Sequence, residues 1–229
     1  DEVISLLISA YAGIGDEVLY SEHGFLMYPI NARAVGATPV AAPESDLTAN
    51  VDNLLACVTD RTRMVFLANP NNPTGSYVPV DELRRLHAGL ASETLLVIDA
   101  AYAEYVSRND YISGAELVET FENVVMTRTY SKAFGLAALR LGWVYCPPEI
   151  ADVLNRVRNP FNVTAAAQVA GVAAVGDLSH TDAVVAHNDE WLPRFTDELK
   201  GLGLGVPPSV GNFVLVRFGT AERAQSAYD

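Results

Sequence analysis

Basic residues are scarce in this sequence: 15 Lys and Arg stand against 28 Asp and Glu, for a formal charge of −13. Such a field repels nucleic-acid phosphates and acidic membrane surfaces, so neither is expected as a partner. It does not exclude a phosphorylated small molecule, because a few local arginines and a helix N-terminus outweigh a distant negative field. Cysteine is scarcer still. Cys57 and Cys146 form no motif and read as buried free thiols in a reducing compartment. The four histidines, His23, His87, His180 and His187, lack metal-ligand spacing, so no metal site is expected. No run approaches the roughly 20 apolar residues needed to cross a bilayer. No basic segment leading into an apolar one opens the chain, since Asp1 and Glu2 stand there. The expected location is the cytoplasm. There is no internal repeat and no low-complexity segment.

What the sequence does have is apolar material, half of its 229 residues, arranged as short strands between longer helices. Val3–Ala12 reads as a helix, Glu17–Tyr20 as a short strand, and Tyr28–Val35 as a helix ending at Gly36. Val51–Val58 and Val80–Gly89 read as helices, and Met64–Ala68, Leu95–Asp99, Asn123–Thr127 and Leu139–Tyr145 as strands. Fully apolar strands separated by helices predict an α/β fold with a mostly parallel sheet covered by helices on both faces. Beyond Pro147-Pro148 the pattern turns helical, through an Ala-rich stretch and a polar helix over Thr181–Leu202. Asn212–Arg217 then reads as a strand opening a second unit. The expected division is a large domain over 1–180 and the start of a smaller C-terminal α/β domain over 181–229. Both ends read as cut: Asp1-Glu2 enters a helix without a preceding cap, and Ala221–Asp229 stops inside a helical pattern.

In parallel sheets, ligands sit beyond the carboxyl ends of the strands. The informative residues are therefore those where strands stop: Asn69–Gly75, Asp99–Tyr105 and Thr127–Lys132. Each is unremarkable alone. An Asp after a strand usually caps a helix, a lone Lys is usually a solvated charge, and an Asn-Pro turn usually just turns.

Together, and in this order, they resemble the histidinol-phosphate aminotransferase family of fold-type I pyridoxal-phosphate enzymes. The likeness is carried by Asn69-Pro-Asn-Asn-Pro-Thr-Gly75, Asp99-Ala-Ala-Tyr-Ala-Glu-Tyr105 and Thr129-Tyr-Ser-Lys-Ala-Phe-Gly-Leu-Ala-Ala-Leu-Arg-Leu-Gly142. It extends to Arg158–Asn162 and Gly211–Arg217; one departure is Ala100, where many members carry Glu.

The resemblance implies pyridoxal 5′-phosphate as cofactor, held covalently by Lys132. Asp99 would keep the pyridine nitrogen protonated, and Tyr102 and Asn72 would hydrogen-bond the ring's phenolic oxygen. Phe25 would stack on the ring. Thr129, Ser131, Arg140 and the helix opening at Asp1 would hold the phosphate. Lys132, Asp99 and Tyr102 would be the catalytic set. The implied reaction is transamination between an amino donor, histidinol phosphate, and a 2-oxo acid, in a homodimer of histidine biosynthesis. Alternatives within the same chemistry are an aromatic amino-acid aminotransferase and a phosphothreonine decarboxylase; one of another class is a cofactor-binding regulatory domain. No substrate-binding residue is matched on this sequence, and Arg217 reads as a surface ion pair.

Overall fold

A computed structural model describes residues 1–229. In chain order it contains α1 (Glu2–Tyr11), β1 (Glu17–Ser21), α2 (Met27–Ala34), β2 (Thr38–Ala42), α3 (Val51–Ala56), β3 (Thr62–Ala68), α4 (Val80–Ala88) and β4 (Leu95–Asp99). These are followed by α5 (Ala115–Thr120), β5 (Val124–Thr129), β6 (Gly142–Tyr145), α6 (Pro148–Val157), α7 (Ala165–Gly176), α8 (Leu178–Gly201) and α9 (Ala221–Tyr228). The strands form one six-stranded sheet in the order β2-β1-β3-β4-β5-β6. All neighbours are parallel except β5 and β6.

The alternation of side chains along each strand feeds two cores, one per face. Leu19, Val65, Leu67, Leu96, Ile98, Val124 and Met126 point to one side, where Leu54 of α3, Leu83 and Leu86 of α4, and Leu117 of α5 cover them. Val18, Met64, Phe66, Leu95, Val97 and Val125 point to the other, against Ile4, Leu7 and Ile8 of α1, Tyr28 of α2 and Leu154 of α6. Ile4, Leu7 and Ile8 follow the i, i+3, i+4 spacing that lays one stripe of a helix on a sheet. Truncating any fully buried Leu here to Ala would cost about 2–5 kcal/mol. The sheet covered on both faces is the α/β architecture read from the sequence.

Several local expectations need correction. Asp1 caps α1 itself, its Oδ1 accepting from the Glu2 N–H at 3.0 Å. The strand expected from Leu139 begins only at Gly142. Before it, Ala137–Leu139 forms a 3₁₀ turn and Arg140 takes a left-handed φ of 53°, which turns the chain back antiparallel to β5. A side chain on Gly142 would strike the Arg128 carbonyl, since its Cβ would lie 2.9 Å away. Asn212–Arg217 is not a strand in a sheet. It makes one isolated bridge, Gly205 with Arg217, because no neighbouring strand is present to pair its backbone. β2 and α5 were not foreseen: β2 is a partly exposed edge strand containing Pro39, and α5 has only six residues. Position 181, where the smaller domain is expected to begin, lies in the first turn of α8. Cys57 and Cys146 are free but only partly buried. No helix is long and apolar enough to cross a membrane.

Candidate active site

The carboxyl ends of β3, β4 and β5 open onto one cavity of about 320 Å³. Its lining includes Asp1, Phe25, Asn72, Asp99, Tyr102, Thr129, Ser131, Lys132 and Arg140, so every residue singled out from the sequence faces it.

Asp99 ends β4 and forms the floor. Its Oδ2 accepts from the Tyr28 hydroxyl at 2.8 Å and its Oδ1 from the Thr127 hydroxyl at 3.1 Å. Burial pushes the Asp99 carboxyl above its ordinary 3.8, and the bonds from Tyr28, Thr127 and the Ala101 backbone N–H pull it back only in part. Burial and the neighbouring Asp99 charge hold the Tyr28 hydroxyl well above its usual range, so it stays a donor. Asp99 is thus a carboxylate whose protein donors are fixed while part of its surface remains open to the cavity. A cationic ring N–H is the partner that would offset its desolvation.

The wall beyond β3 is set by a rigid turn. The Asn69 side chain both accepts from the Val78 N–H at 2.8 Å and donates to the Val78 carbonyl at 3.0 Å. The Gly75 N–H closes the turn onto the Asn71 carbonyl at 2.8 Å, with Gly75 at φ 75°, where a Cβ would also collide with Ser209. So held, Asn72 donates through Nδ2 to the Tyr102 hydroxyl at 3.1 Å. Tyr102 is buried, and its ring packs edge-on against Phe213 with centroids 5.0 Å apart.

Lys132 lies in the loop leaving β5. The Tyr130 N–H bonds the Leu141 carbonyl at 3.0 Å and the Leu136 N–H the Tyr130 carbonyl at 2.9 Å, tying the loop shut at its base. The Lys132 amine sits 5.2 Å from the Tyr102 ring centroid and has no carboxylate partner. The Thr129 hydroxyl accepts from the Ser131 N–H at 3.1 Å, which leaves its proton to donate elsewhere. Arg140 reaches Asp1 at 3.1 Å, and both side chains are more than half exposed. Phe25 is partly buried and meets Tyr28 edge-on, with centroids 6.0 Å apart. Arg217 pairs with Asp46 at 3.1 Å on the surface, away from this cavity, as its sequence context suggested.

Sequence reasoning missed Tyr28 and Thr127, which hold Asp99. The Tyr28–Asp99 bond spans 71 positions, and a tyrosine on the apolar stripe of a helix carries no signal of such a contact. The cavity matches the needs of a phosphorylated pyridine cofactor. It offers a buried acceptor at the floor, an unpaired amine on the wall, a Tyr–Asn pair, and hydroxyls with an arginine beside the start of α1.

Comparison with known proteins agrees with the geometry. The fold superposes on histidinol-phosphate aminotransferase from Sinorhizobium meliloti in complex with pyridoxal-5′-phosphate, with a TM-score of 0.87, 30% identity, and coverage of 95% of this chain and 59% of that one. The profile of the family described as aminotransferase class I and II matches residues 1–229, and the chain belongs to that family. Members depend on pyridoxal 5′-phosphate. Among curated relatives, histidinol-phosphate aminotransferase of Paramagnetospirillum magneticum is 64% identical over 218 residues, 95% of this chain and 60% of the relative. The enzyme of that description from Rhodospirillum centenum is 64% identical over 223 residues, 97% of this chain and 62% of the relative. The chain therefore spans about three fifths of the length of these relatives.

Proposed function

We propose that the intact protein is a pyridoxal-phosphate aminotransferase acting on histidinol phosphate and a 2-oxo acid, 2-oxoglutarate, in histidine biosynthesis in the cytoplasm. The observation that carries the aminotransferase reading is the convergence of Asp99, Lys132 and the Asn72–Tyr102 pair on one cavity. The substrate reading rests on the names of the relatives at 64% identity.

When bound, the cofactor supplies a carbonyl that condenses with amines and a cationic ring that accepts electrons from the amino donor's α-carbon. Lys132 would hold it covalently and would carry the proton off that α-carbon. Asp99 would take the ring N–H and keep its proton in place, which its anchored oxygens would do without reorganising. Tyr102, oriented by Asn72, would hydrogen-bond the ring's phenolic oxygen, and Phe25 would pack against the ring. Thr129, Ser131, Arg140 and the N–H groups at the start of α1 would hold the phosphate. The smaller C-terminal domain starts near 181, along α8. Exposed apolar side chains, among them Ile14, Phe161, Val169 and Val172, support assembly as a homodimer.

Replacing Lys132 with Ala should lower turnover by at least about 1,000-fold, as expected when the proton carrier is lost. The full-length protein loaded with pyridoxal 5′-phosphate should lose its visible absorbance on titration with histidinol phosphate and recover it with 2-oxoglutarate. Preferential response to phenylalanine, or release of carbon dioxide from phosphothreonine, would move the enzyme to another reaction of the same fold.

A further inference from the structure

Arg128 and Glu104 form an ion pair that the chemistry above does not use. Arg128 follows Thr127 on β5 and lines the edge of the same cavity, while its guanidinium turns to Glu104. Glu104 lies in the 3₁₀ turn Ala103–Tyr105, which begins directly after Tyr102. Arg128 Nη2 donates to Glu104 Oε1, and the two side chains are only 17% and 10% exposed. Trp143, the residue opposite Arg128 on β6, brings its ring to 5.6 Å from the guanidinium carbon. Despite this enclosure, Arg128 Nε and Glu104 Oε2 are both buried without a hydrogen-bond partner.

Such a pair is a poor means of stabilisation. Taking two charges out of water is costly, and unsatisfied atoms add to the cost. A well-packed apolar pair would serve stability as well or better. What the pair does supply is a fixed link between two segments. One is the turn that presents Tyr102; the other is the strand that runs on into Lys132. Between them lies the 5.2 Å separation of the Lys132 amine from the Tyr102 ring centroid.

We propose that Arg128 and Glu104 are positioning residues that set the placement of Lys132 relative to Tyr102, and through it the orientation of the cofactor. Neither is a catalytic residue. This rests on the cofactor reading above.

The test uses full-length protein loaded with pyridoxal 5′-phosphate and compares wild type with Glu104→Gln and with the double variant Arg128→Met/Glu104→Leu. The readouts are visible circular dichroism of the bound cofactor, its dissociation constant, kcat, KM and the midpoint of heat unfolding. Glu104→Gln keeps shape but strands the guanidinium; the double variant removes both charges and keeps bulk. For both, the dichroic band should fall to less than about half. The cofactor's dissociation constant should rise about tenfold, and kcat should fall on the order of 100-fold with KM within about twofold, as for a misplacement of about 1 Å. The double variant should unfold within a few degrees of wild type. A folded double variant with wild-type dichroism and kcat overturns the proposal. Failure of both variants to fold also overturns it, because the pair would then be a structural requirement. If wild type itself takes up no cofactor, it is the cofactor reading that falls.

Discussion

At the floor of the cavity, Asp99 is held by hydroxyls of Tyr28 and Thr127 that are themselves buried, whereas at the rim Arg140 and Asp1 pair across open solvent. The floor is finished before any ligand arrives. Its hydroxyl donors are buried with it, and its carboxylate is desolvated. The rim is looser: a screened pair more than half exposed contributes little. Under the proposed cofactor reading, orientation would fall to the buried floor and capture to the exposed rim.

Replacing Asp99 with Asn should show the largest effect that separates the two regions, with turnover falling on the order of 100-fold through loss of the preorganised charge. The cofactor-free protein should behave differently. Because the folded state raises the Asp99 carboxyl above 3.8, the folded protein binds that proton more tightly than the unfolded chain. The resulting contribution to stability is full below 3.8 and is lost as pH rises through the raised value. The unfolding midpoint of wild type minus that of Asp99→Asn should therefore fall as pH rises across this window, then level off. A difference that grows with pH would mean the floor is not desolvated. At the rim, Arg140→Gln should weaken cofactor binding about tenfold, with an affinity loss that shrinks as salt screens the wild-type contact. A salt-independent loss would place Arg140 with the floor. Smallest, Asn72→Ala should cost about two- to tenfold in turnover, since one neutral hydrogen bond contributes about 0.5–1.5 kcal/mol.

Legibility in the sequence followed burial. β3 and β4 announced themselves because both faces are covered, which makes Val65–Leu67 and Leu95–Ile98 unbroken apolar runs. β2 stayed hidden because an edge strand needs little apolar character and tolerates Pro39. Asn72, Asp99 and Lys132 were found from position, since each stands where a strand of a parallel sheet stops; the roles suggested for them came from family likeness. Thr127, Glu104 and Arg128 fell inside segments marked from the sequence but, like Tyr28, carried no assigned role. Their significance lies in contacts across many intervening residues, Glu104 to Arg128 bridging 24 and Tyr28 to Asp99 bridging 71 positions. The strand expected at Asn212–Arg217 shows the reverse error: a suitable pattern forms no ladder without a neighbour.

The reversal at Arg140 leaves β6 at the margin of the sheet, with Gly142, Trp143 and Tyr145 exposed. One row of its backbone N–H and C=O groups faces outward beside two aromatic rings, a template to which a second chain can add. When these 229 residues are produced alone, this edge should drive their association. The net charge of −13 keeps such edges apart in dilute buffer, and added salt, by screening it, favours edge-to-edge association.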